Sequence, residues 1–109
     1  MEWAHALSYF FAGAFLTNAI PHLVSGLMGR PFTSPFAKPP GEGLSSSTVN
    51  VLWGFFNVAV GYGLIAGIGS FDPRSAPHVV ALGLGALLIG LFSARTFGRL
   101  NGGHAPEGK

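Results

Sequence analysis

The segment TNAIPHL, residues 17 to 23, carries an amide, a proline and an imidazole at Asn18, Pro21 and His22. It lies inside a run from Trp3 to Gly29 that holds no Asp, Glu, Lys or Arg. A second apolar stretch carries Asn50, Trp53 and Asn57. A carboxamide offers two donor hydrogens and an acceptor oxygen, a neutral imidazole one donor and one acceptor, and an indole a single donor. Among apolar neighbours such groups have three uses. They can hydrogen-bond one another, line a path for a polar solute, or, through His22, hold a metal or haem.

Other chemistry is poorly supplied. The chain has no cysteine, so thiolate metal sites and disulfides are excluded. A Ser-His-Asp set fails on placement, because Asp72 lies at the opposite end of the apolar segments from His22 and Ser45 to Ser47. His5 and His78 form a possible pair at one end, but two interfacial histidines more often contact headgroups than hold a metal. The expectation is therefore a non-enzymatic protein with no catalytic residues, no metal and no cofactor.

Three elements must position these groups. Of 109 residues, 49% are hydrophobic and only 9% are charged, against roughly 25% charged in ordinary soluble domains. The charges leave three free runs, Trp3 to Gly29, Gly43 to Phe71 and Ser75 to Ala94. Each reaches the ~20 residues a helix needs to cross a bilayer. The reading is an all-α membrane protein of one domain. Helix 1 covers about 3–28, a loop 29–45, helix 2 about 47–69, helix 3 about 75–97, and a polar, frayed tail 100–109. Helices 2 and 3, joined by a short turn-rich connection, are expected to be antiparallel neighbours. The first run has no basic residues before it and no clear small-residue cleavage site, so it is expected to persist as a helix and not to be removed as a signal peptide.

Arg30, Lys38, Arg95, Arg99 and Lys109 flank one side of these spans and Arg74 the other. The positive-inside rule then puts the N-terminus outside and the C-terminus in the cytoplasm of a multi-pass protein of the cell membrane. The formal charge of +2 resides in these flanks, which suits anionic lipid; a clustered basic face for nucleic acid is missing. Trp3 and Tyr9 suit a headgroup belt at the outer end.

In the loop RPFTSPFAKPPGEG, Pro31-Phe32, Pro35-Phe36 and Pro39-Pro40 recur every four residues. That density of proline forbids a regular helix, and Pro40-Gly41 fits the centre of a type II turn. Phe32 and Phe36 are costly to leave in water, so the loop is expected to pack on the bundle or dip into the membrane interface. SSST, from Ser45 to Thr48, supplies N-cap residues for helix 2. Either Asp72-Pro73 or Ser75 with Pro77 would start helix 3.

At 100° per residue Ala14, Asn18, His22, Ser25 and Gly29 share one stripe of helix 1. Asn50, Trp53, Gly54, Asn57 and Gly61 share one on helix 2, and Gly83, Ala86, Gly90 and Ala94 one on helix 3. Small residues let helices approach inside lipid and amides bridge between them, so these stripes are expected to face one another. Pro21 should kink helix 1 and free the carbonyl of Thr17, which Asn50 or Asn57 can then satisfy.

The segments TNAIPHLVSG, PF..PFAKPPGEGLSSS and NVLWGFFN resemble a family of small three-span integral proteins of bacterial inner membranes, which implies the fold and location but no activity. Length and hydropathy are also similar to the small multidrug resistance transporters. Those have four spans and a membrane-embedded glutamate, both missing here. The leading expectation is an accessory or structural subunit that packs with other membrane proteins or with itself, in contact with lipids. The alternative is a small channel or transporter whose path is lined by His22 and the asparagines.

Overall fold

A computed structural model describes residues 1–104. Three helices, α1 (Trp3–Leu27), α2 (Ser47–Ala66) and α3 (Ala76–Asn101), make up the fold, and each is long and apolar enough to cross a membrane. Helix α1 runs through Pro21 without interruption. Ser46 caps α2, its hydroxyl accepting from the Val49 N–H at 3.1 Å, which meets an N-terminal donor that the helix itself leaves unpaired. Ser75 caps α3 the same way, accepting from His78 N–H at 3.3 Å, with proline in the first turn. Asp72 starts no helix; its carboxylate accepts from Arg74 N–H at 2.9 Å in the preceding turn.

Helix α1 is the centre of the molecule. It packs on both α2 and α3, and those two do not pack on each other, which corrects the expectation of neighbouring helices 2 and 3. The reason lies in the connection, which crosses over the start of α1. Phe71 stacks edge-on to Tyr9 at 5.1 Å, and Gly69, at φ +66°, passes so close to Tyr9 and His5 that a Cβ there would collide with both. Tyr9 is correspondingly 0% exposed and no headgroup anchor, whereas Trp3, at 76% exposed, points outward.

Because α1 meets two partners, it buries more than one stripe. Ala12, Ala19 and Gly26 are buried at intervals of seven; the carbonyl of Ala12 nears Gly61, and Gly26 abuts Ser47 and Val51 of α2. Gly13 lies against the Leu82 carbonyl of α3. From the expected stripe only His22 is fully buried, with Ala14, Asn18 and Ser25 at its edge and Gly29 exposed. On α2 the buried residues are Asn50, Gly54, Asn57 and Gly61, and Trp53 borders them. On α3 the face toward α1 is Gly85 with Leu82 and Ala86, while Gly83 and Ala94 are exposed and Gly83 and Gly90 have open space where a Cβ would stand. Two small-residue stripes exist on α3, and helical periodicity alone does not choose between them.

The end of α3 is capped, not frayed. Gly102 adopts φ +78°, and Gly103 N–H donates to the Gly98 carbonyl at 2.7 Å, the pattern that satisfies terminal carbonyls. His104 folds back to the Arg95 carbonyl at 2.8 Å. The remainder of the predicted tail, 105–109, with Glu107 and Lys109, lies outside the described residues.

Candidate functional site: a polar interior beneath the proline-rich loop

The loop is built onto the helices by its own hydrogen bonds. Phe32 and Ser45 pair as an isolated antiparallel bridge, N–H to carbonyl at 3.1 and 2.8 Å. The Ser34 and Ser45 hydroxyls meet at 2.6 Å. Pro40-Gly41 forms a turn closed by Glu42 N–H to the Pro39 carbonyl at 3.1 Å, with Gly41 at φ +74°, a value that glycine adopts without a Cβ penalty. Thr33, Ser34 and Ala37 are buried under it.

Asn50 ties this loop to the helices. Its amide nitrogen donates to the carbonyls of Phe32 (2.8 Å), Ser46 (3.1 Å) and Ser45 (3.3 Å). That leaves its carbonyl oxygen facing Nδ1 of His22 at 2.7 Å. The surroundings thus assign both groups: Asn50 presents an acceptor, so His22 carries its hydrogen on Nδ1. Aromatic rings surround the imidazole, with Phe32 at 5.4 Å and Trp53 and Phe97 both at 6.3 Å.

One turn further along, Asn18 donates to the Asn57 oxygen at 3.1 Å, and Asn57 donates to the Trp53 carbonyl of its own helix at 2.8 Å. Ser8 donates to the Leu64 carbonyl at 2.6 Å, a third polar link between α1 and α2 that the sequence did not single out. The structure thus joins Asn18 to Asn57 and His22 to Asn50. It does not use either α2 amide to satisfy the carbonyl of Thr17, which lacks an N–H partner at Pro21, because both point to carbonyls of α2 and the loop instead.

The Asn18–Asn57 bond joins two side chains across a helix contact, so either variant removes it, and loss of Asn57 removes the bond to the Trp53 carbonyl as well. Asn18→Leu and Asn57→Leu are each expected to lower stability in detergent, and the double variant to lose less than the two combined. The coupling should be about 0.6 kcal/mol, at most ~2. Additive losses in an unfolding titration would show that the two amides act separately.

Trp53 brings something the network does not absorb. Its Nε1 is buried with no hydrogen-bond partner, and so is Oγ1 of Thr33, a residue only 2% exposed. Both residues line a cavity of about 340 Å³ between α1, α3 and the loop, together with Asn18, His22, Ser93 and Thr96. Loop residues Thr33 and Ser34 carried no pattern that would have nominated them from sequence.

At the opposite end, His5 and His78 both lie against Tyr9, at 6.4 and 4.9 Å between rings. The Asp72 backbone N–H donates to His78 Nδ1 at 2.9 Å. Among the described residues no three His, Asp or Glu side chains gather as a metal site would require. Compared with family models, curated proteins and solved structures, the chain matches none.

Proposed function

We propose that the chain is a non-enzymatic multi-pass membrane protein that serves as a helical subunit of a larger assembly, formed with other membrane proteins or with further copies of itself. The observation that carries this reading is the occupation of the polar interior. The Asn50 amide engages three carbonyls and an imidazole, and Asn57 engages Asn18 and the Trp53 carbonyl. A conducting path needs polar groups free to replace a solute's hydration, whereas these hold one helix to another and to the loop. A structural subunit also suits α3, which buries only Gly85 and Gly98 and presents Leu84, Leu87, Leu88 and Leu91 outward. Without a hydrophobic drive inside lipid, such a helix gains from close-packed partners.

In this reading the N-terminus is outside and the C-terminus cytoplasmic, as the positive-inside rule gives. The loop is then an interfacial lid on the cytoplasmic side, with Arg30 and Lys38 at headgroup level and the exposed Phe36, edge-on to Trp53 at 5.4 Å, in contact with lipid.

Native mass measurement after extraction from the producing membrane tests the assembly. A fixed stoichiometry above one copy, with itself or with a partner, is expected; a monomer at every concentration overturns it. Reconstituted vesicles should show no ion or proton flux, and a flux lost on His22→Ala would establish the channel reading instead. The cysteine-free chain gives a clean background for orientation: Glu42→Cys should react with an impermeant maleimide only in inside-out vesicles.

A further inference from the structure

Residues 68 to 74, between α2 and α3, run across the start of α1 and help to cover Tyr9. Little holds them there. Arg74 N–H and Ser75 N–H both turn back to Asp72, to its carboxylate and its carbonyl. Among the described residues a single hydrogen bond ties the segment to a helix: the Asp72 N–H donates to Nδ1 of His78, in the first turn of α3, at 2.9 Å. The remaining contacts are between rings, with Phe71 at 5.1 Å from Tyr9 and 5.8 Å from His78, and His78 at 4.9 Å from Tyr9.

That one bond fixes the state of the imidazole. A backbone N–H can only donate, so Nδ1 must keep its lone pair and the ring hydrogen sits on Nε2. A second proton would put a hydrogen on Nδ1 as well, and two donors would then face each other across 2.9 Å. The bond and the imidazolium exclude one another. The titratable and charged groups at this end are Glu2, His5 and Tyr9 at the start of α1 and Asp72 and Arg74 in the connection; α2 adds only Tyr62, which is exposed. Glu2 lies 3.8 Å from His5, and the Asp72 carboxylate is turned to Arg74 N–H. Among the described residues no carboxylate stands within ion-pair distance of His78 to compensate a charge. The covered arrangement also leaves the Tyr9 hydroxyl buried without a partner, a cost that contact with water relieves.

We propose that the connection is a proton-sensitive strap: neutral His78 holds it across Tyr9, and protonation of His78 releases it. A bond made only by the deprotonated ring is present at high pH and lost as pH falls. Imidazoles change charge between about pH 5 and 8, so the strap is closed at the upper end of that range and loosened at the lower. The device goes beyond the subunit role and does not require it.

The full chain in nanodiscs of zwitterionic lipid, whose two faces both meet the buffer, provides the test. His78→Asn keeps an acceptor oxygen near the place of Nδ1 and does not titrate. Hydrogen exchange of the Asp72 amide, read by NMR in wild type and variant at the same pH, cancels the intrinsic pH dependence of exchange. The two proteins should exchange equally at pH 8, and at pH 5 the wild type should exchange about tenfold faster, as loss of one hydrogen bond gives. His5→Gln should keep the full response. Equal exchange of wild type and His78→Asn at pH 5 overturns the proposal, and so does a response abolished by His5→Gln. Imidazole nitrogen shifts of the wild type give a check that needs no variant. Neutral His78 should carry its hydrogen on Nε2, and its titration should coincide with loss of the Tyr9–Phe71 ring contact. A hydrogen on Nδ1 in the neutral ring, or a ring contact unchanged through the titration, overturns the strap.

Discussion

Asn50→Leu should destabilise the folded protein by about 3 kcal/mol and release the loop from the helices. Leucine is close in size to asparagine, so the loss is one of hydrogen bonds more than volume. The carbonyls of Phe32, Ser45 and Ser46 each keep a backbone partner, but they lose the one group that holds all three together and to α2. His22 is affected most. It is 3% exposed and turns Nδ1–H to the Asn50 oxygen, and an orphaned buried donor costs about 1–3 kcal/mol beyond the bond itself. A mixed-micelle unfolding titration measures the change, and a glutamate-specific protease should cut faster after Glu42, in the loop that the Asn50 tether otherwise holds close to the bundle. Adding His22→Phe removes the orphan, so the double variant should recover part of the loss, since replacing both partners by apolar groups is often nearly neutral. A loss below ~0.5 kcal/mol, or a double variant worse than the two changes combined, would mean that Asn50 is not the tether.

The same residues show what the sequence makes legible. Three charge-free runs give three helices because hydropathy and length act locally and need no knowledge of neighbours. Asn50 and Asn57 share a stripe with Gly54 and Gly61 because α2 meets a single partner, and a single partner leaves a single periodic signal. Helix α1 meets two, so its buried positions spread around the helix and the stripe through Asn18 and His22 captures only part of them. The destination of an amide is less legible still. The sequence offers Asn50 or Asn57 to the carbonyl freed by Pro21, yet Asn50 serves carbonyls of a loop whose path depends on turns at Pro40-Gly41 and on the Phe32–Ser45 bridge. Tyr9 has the position of an interfacial anchor, an aromatic near a span end, but Phe71 in the connection that crosses α1 and His78 of α3 cover it. Thr33 gained meaning solely from what surrounds its hydroxyl, a property of the folded chain and not of the letter.

Gly85→Ala is expected to be as damaging as the loss of Asn50, although it adds only one methyl group. A Cβ at Gly85 would fall on the carbonyl of Phe10, and one at Gly13 on the carbonyl of Leu82. The two glycines therefore let the α1 and α3 backbones touch directly, with Cα–H groups against carbonyl oxygens, a contact of about 0.5–1 kcal/mol each that only small residues permit. Backbone atoms in two helices cannot turn aside as a side chain would, so α3 must move away along much of its contact. Overpacking of this kind costs about 1–3 kcal/mol and sometimes more, and α3 has few other buried residues to hold it. Gly83→Ala and Gly90→Ala provide the contrast. Both positions have open space where the methyl would stand, so each should be neutral or gain up to about 1 kcal/mol from helix propensity. Unfolding titrations of the four single variants would separate the two sets, and equal effects across them would show that Gly85 does not set the approach of α3. The Gly13→Ala, Gly85→Ala double variant should lose less than the two losses combined, because the first methyl already parts the helices and leaves the second room. Losses that add in full would place the two glycines in independent contacts and contradict a shared line of approach between α1 and α3.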